Sequence, residues 1–145
     1  MNASAIYFAT PEDAANAFYK ALERCDLEAL MAVWGSGEDI VCIHPGGNCL
    51  IGHKAIYDSW QNILGQRGTE DLKIDVYVLT TWNSPFISVQ TSLETIYVGN
   101  APRGPLLVTR VFLNGRAGWR LVSRHATQAG PSESHKILKK NHSLH

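Results

Sequence analysis

The hydrophobic pattern changes period near the middle of the chain. From residue 10 to 64 apolar positions recur mostly at helical spacing; from 72 to 127 they alternate. Thr10-Pro11-Glu12-Asp13 predicts a helix start: Thr10 can cap, Pro11 suits the first turn, and the acids favour the positive end of the helix dipole. Ala14, Ala17, Phe18, Ala21 and Leu22 then form one apolar stripe. Asp26 caps a second helix predicted over 27–34, stopped by Gly35-Ser36-Gly37. Residues 39–44 read as a strand with Ile40, Cys42 and His44 on one face, ended by Pro45-Gly46-Gly47. A third helix is predicted over 53–64, entered through Gly52, with Ile56, Ser59, Trp60 and Ile63 among its inward positions.

The second half predicts four strands. Residues 72–82 alternate, Asn83-Ser84-Pro85 turns, and 86–98 form a long strand whose more apolar face carries Ile87, Val89, Thr91 and Leu93. Residues 100–105 read as a Gly/Pro loop. A hairpin follows, with strands at 106–113 and 119–127 joined through Asn114-Gly115. Strict alternation on the last strand places His125 with Trp119, Leu121, Ser123 and Thr127, opposite Arg124. Helices followed by consecutive antiparallel strands imply an α+β fold: a curved antiparallel sheet wrapped around the N-terminal helices. The predicted organisation is a single domain over 1–128 with a flexible polar, basic tail over 129–145.

Composition adds exclusions. The 145 residues hold 13 basic and 13 acidic side chains, so bulk charge attracts neither nucleic acid nor an anionic membrane. No apolar run approaches the ~18 residues of a membrane span, and the first ten residues lack the pattern of a signal peptide. Three cysteines make no disulfide framework, and no C-x-x-C pair marks a metal site. The expectation is a cytoplasmic protein with free thiols, no metal and no cofactor.

The stretch D-L-E-A-L-M-A-V-W, the strand, H-P-G-G and L-I-G-H-K-A-I-Y-D-S-W resemble the SnoaL-like group of the nuclear transport factor 2-like superfamily. The ending G-W-R-L-V-S-R-H-A-T is similar to the closing strand of that group and of the calcium/calmodulin-dependent kinase II association domain. The resemblance covers about residues 11–127. It implies a cone-shaped α+β pocket, usually in a dimer, on a scaffold that hosts isomerases, cyclases, dehydratases, hydrolases and non-catalytic binding domains. Fold alone does not choose among these. Compared with ketosteroid isomerase, His44 stands where that enzyme keeps its general base. Phe18 matches its oxyanion-hole Tyr, Thr109 its protonated Asp, and Trp60 the supporting Tyr. The hydrogen-bond donors are therefore replaced, while the base position keeps an ionisable group.

The candidates follow. His44 is a general base or a strand-end histidine bonded locally. His125 is a second pocket imidazole facing His44 or a buried histidine with a local partner. Phe18, Trp34, Trp60 and Thr109 are the candidate ligand-pocket residues, with plain core packing the rival for the aromatics. Arg110, Arg124, Glu94, Gln90 and Ser92 are expected on an outer sheet face, meeting solvent or a second copy. The expected function is binding of a small apolar or carbonyl-bearing molecule, with isomerase, lyase or hydrolase-type acid–base chemistry through His44. The alternative is a non-catalytic ligand-binding or dimerisation module. The expected partner is a second copy of the chain, docked through the sheet face.

Overall fold

The computed structural model describes residues 6–68 and 71–131. Most of the expected tail, including Lys136, Lys139 and Lys140, lies outside the described residues. Three helices, α1 (Pro11–Arg24), α2 (Leu27–Ala32) and α3 (His53–Gly65), pack against one face of a curved six-stranded sheet. The strands are β1 (Val41–Ile43), β2 (Cys49–Ile51), β3 (Leu72–Asn83), β4 (Ile87–Val98), β5 (Ala101–Gly115) and β6 (Gly118–Gln128). Their spatial order is β2-β1-β6-β5-β4-β3.

Local chemistry sets the helix ends as the sequence predicts. Thr10 accepts from the Asp13 N–H at 3.0 Å, and Asp26 from the Ala29 N–H at 3.0 Å, satisfying donors that have no partner inside the helix. Gly52 enters α3 with φ 92°, a conformation open to glycine and costly for residues with a Cβ. The helix stripes meet the sheet through a core that includes Phe18, Leu30, Ile40, Ile56, Phe112 and Leu121.

Three differences from the sequence reading matter. β2 follows the His-Pro-Gly-Gly turn and pairs antiparallel with β1, while β1 pairs parallel with β6, so the sheet is mixed. β5 begins at Ala101 and absorbs the expected loop, because β4 supplies ladder partners as far as Val98↔Ala101. Register shifts also interrupt the long ladders, at Val78/Thr80 in β3, Glu94/Ile96 in β4 and Val111/Phe112 in β5. Each adds a residue to one strand, raises local twist and helps the sheet curl around the helices.

The last shift decides which side chains point inward. Val111 pairs with Ser123 but Phe112 pairs with Leu121, leaving Val122 as an extra residue in β6. Trp119 and Leu121 are buried before the bulge; Arg124 and Ala126 are buried after it. A bulge inverts the two-residue alternation, so the face assigned to His125 by strict period is corrected. His125 is exposed and lies beside Thr109, also exposed, on the side away from the helices.

Candidate functional site

The helix-facing interior is polar where the sequence suggested a solvent face. Ser88, Gln90, Ser92, Glu94, Arg110 and Arg124 are all buried. Arg124 donates from both terminal nitrogens to the two Glu94 oxygens, each at 2.8 Å. The Tyr19 hydroxyl on α1 donates to Glu94 and accepts from Arg110. Arg110 also donates to the Gln90 side-chain oxygen at 2.7 Å, and its guanidinium lies 5.4 Å from the centre of the Tyr19 ring. The Arg124 guanidinium lies 5.0 Å from the centre of the Phe18 ring.

One carboxylate thus serves two buried guanidinium groups. Burial alone would raise the Glu94 pKa, but the charge and hydrogen bonds of Arg124, with help from Tyr19 and Arg110, hold it below the usual carboxylate value. Burial, then Glu94, pushes the Tyr19 phenol well above its ordinary value, so it stays protonated. Arg124 remains charged because Glu94 outweighs its own burial.

Beside this network opens a cavity of about 510 Å³, within the ~300–1,000 Å³ range of small-molecule sites. Leu22, Leu64, Leu72, Ile96 and Leu106 supply apolar wall; Glu94 and Arg124 lie at its polar end; Arg67 and Arg103 also line it. His44 and Trp60 complete the wall. β1 ends one residue before His44, and the Gly47 N–H donates back to the His44 carbonyl at 2.9 Å, fixing the turn. The His44 ring is half-buried, with Nε2 2.8 Å from Ser59 Oγ on α3 and 3.8 Å from Cys42 Sγ. Its centroid is 4.9 Å from Trp60, edge to face. Burial first, and the Arg124 charge second, lower the His44 pKa below the ordinary histidine value. Neutral imidazole is therefore its resting form near pH 7.

The other expected site residues divide. Trp60 is buried, and its indole N–H finds no partner among the described residues beyond the weak acceptor sulfur of Cys42. Phe18 sits behind the cavity wall, 5.6 Å from Trp60. Trp34 is core at the end of α2, bridged to Leu121, and lines a separate cavity of about 220 Å³ with Met31, His53 and Arg120. The two cavities share no lining residue. Thr109 and His125 lie on the outer face and line neither cavity.

Sequence reasoning missed the interior network because charged strand residues ordinarily face water. A signal was nevertheless present. Ser88, Gln90, Ser92 and Glu94 fall in one phase, and the basic residues that meet them are Arg, the side chain suited to buried bidentate pairing.

Comparison with known proteins agrees with this fold. Residues 12–129 match the SnoaL-like domain family, and the chain belongs to that family, within the nuclear transport factor 2-like superfamily. A Thiobacillus denitrificans protein named as a calcium/calmodulin-dependent protein kinase type II association domain is 32% identical, with TM-score 0.80 over 86% of this chain and 98% of that one. A Streptomyces avermitilis protein named as a dehydratase of the NTF2-like family is 26% identical, with TM-score 0.70 over 81% of this chain and 91% of the other. A Parabacteroides distasonis protein named as a ketosteroid isomerase is 15% identical and shares the fold, with TM-score 0.68 over 89% and 98%. The F-box protein SKIP8 of Arabidopsis thaliana is 23% identical over 113 residues, which is 76% of this chain and 46% of that protein. The chain therefore spans about half the length of that relative. Among the described residues no helix is long and apolar enough to cross a membrane.

Proposed function

We propose that the chain binds a small, mainly apolar, carbonyl-bearing molecule in the large cavity and moves a proton on it through His44. The observation that carries this reading is an open cavity with a neutral imidazole on its wall, oriented by Ser59 and Trp60. In the tautomer that donates from Nε2 to Ser59 Oγ, Nδ1 is free to accept a proton. Abstraction of a proton beside a carbonyl leaves an enolate. Arg67 and Arg103, which line the same cavity, would stabilise that negative charge. Return of the proton at another carbon gives isomerisation; loss of a β-substituent gives elimination. The likeness to a protein named as a dehydratase is compatible with the second outcome.

The test needs no prior substrate. A panel of small ketones and enones is incubated with protein in D2O, and exchange of the protons beside the carbonyl is followed by NMR. Exchange above the buffer rate, abolished in His44→Ala, is the expected result. Exchange equal in both proteins removes His44 from the chemistry.

The second reading is a non-catalytic homodimeric module, and the outer sheet face favours it. Trp82, Val89 and Val111 lie in one row across β3, β4 and β5, with Ile87 and Leu113 paired beyond them. Trp82 is 77% exposed and Phe86 69% exposed. Such a face fits a second copy of the chain, with apolar residues making the contact in place of the arginines expected from sequence.

A further inference from the structure

Three arginines line the large cavity, Arg67, Arg103 and Arg124, against one acidic residue, Glu94. Arg124 and Glu94 cancel each other through their bidentate pair. Arg67 donates to the Leu22 backbone carbonyl at 3.3 Å, and neither it nor Arg103 has a carboxylate partner among the described residues. His44 is neutral at its resting pH. Among the described residues, the cavity therefore carries two positive charges that no carboxylate pairs, from two different elements, the chain following α3 and the start of β5. Behind it, Arg110 has no carboxylate of its own and an Nε–H with no partner among the described residues. Apart from His44 and the Gln66 amide, the rest of the wall is aliphatic or indole.

We propose that the ligand is an organic acid, held by an apolar body against the aliphatic wall and by its carboxylate at Arg67 and Arg103. This names the ligand class of the cavity and rests on the binding reading given above. A guanidinium matches a carboxylate in shape and charge, and two of them on separate elements hold an anion that neither secures alone. Selectivity for acids follows because a neutral ligand of the same shape leaves the two charges uncompensated, and a cationic one adds repulsion.

The experiment uses three ligands with one apolar body: octanoate, octanamide and octylammonium. Titration calorimetry at low and moderate salt measures each against the full chain. The expected result is octanoate binding at least tenfold more tightly than octanamide, a gap that narrows as salt rises, and no binding of octylammonium. Arg103→Gln, at an exposed position, should shrink the gap while leaving octanamide binding unchanged; Arg103→Lys should retain most of it. Arg67→Gln should act in the same direction, with circular dichroism checking that the Leu22 contact is not needed for folding. Octanamide binding as tightly as octanoate overturns this inference and leaves the binding reading standing. Failure of all three to bind overturns both.

Discussion

Replacing Glu94 by Gln tests the buried network directly. Glu94 is 1% exposed and accepts two hydrogen bonds from Arg124 and one from Tyr19. The amide keeps the shape but offers one acceptor oxygen, and its NH2 points donor against donor at a guanidinium. Two buried arginines then have no counter-ion. Breaking a buried pair from one side costs about 3–5 kcal/mol, since the orphaned charge stays desolvated. For a chain of this size that corresponds to a fall in Tm of roughly 10–15 °C. Urea titration and thermal melts measure it.

The pH dependence gives an independent check. The folded Glu94 pKa lies below its unfolded value, so its contribution is complete above the unfolded carboxylate pKa of ~4.3 and is lost as pH falls through the lower, folded value. The gap between wild type and Glu94→Gln should therefore be constant from neutral pH to about pH 5 and close in stronger acid. Glu94→Leu combined with Arg124→Met should recover only part of the loss, because the apolar pair removes the Arg124 charge together with its partner while Arg110 stays buried without a counter-ion. A loss below about 1 kcal/mol, or a gap that does not change in acid, would refute the view that this network is buried and ionised.

Other outcomes follow from the same geometry. His44 should act as a base to lower pH than an ordinary histidine, so the acid limb of any pH–rate profile should fall below the usual value of ~6.5; a limb at or above it contradicts the influence of burial and Arg124. His125→Ala, on the outer face, should leave ligand affinity and exchange rate unchanged, and a large loss of either would place it in the chemistry. Ellman's reagent should label Cys25 and Cys49 quickly in the native protein and Cys42 only on unfolding, because burial holds the Cys42 thiol up at about 11. Val89→Arg should leave the monomer folded and abolish self-association measured by light scattering; an unchanged mass would show that this face is not where copies meet.

Local signals carried much of the fold. Thr10, Asp26 and Gly52 mark helix starts in sequence because capping acts over three or four residues. The change from helical to alternating period separates helices from strands because side-chain direction follows backbone geometry. His44 was legible for the same reason: a strand, a turn and an imidazole are neighbours in the chain, and their placement needs no distant partner. Tertiary structure alone decided the rest. The face that Glu94, Arg110 and Arg124 occupy depends on which side of the sheet the helices cover, and composition makes either side arguable when one is polar and the other apolar. The position of His125 depends on one extra residue at Val122, a bulge that exists only in the pairing of β6 with β5. Whether an arginine is solvated or buried against a glutamate thirty residues away is set by register, and register belongs to the folded sheet, not to either strand by itself.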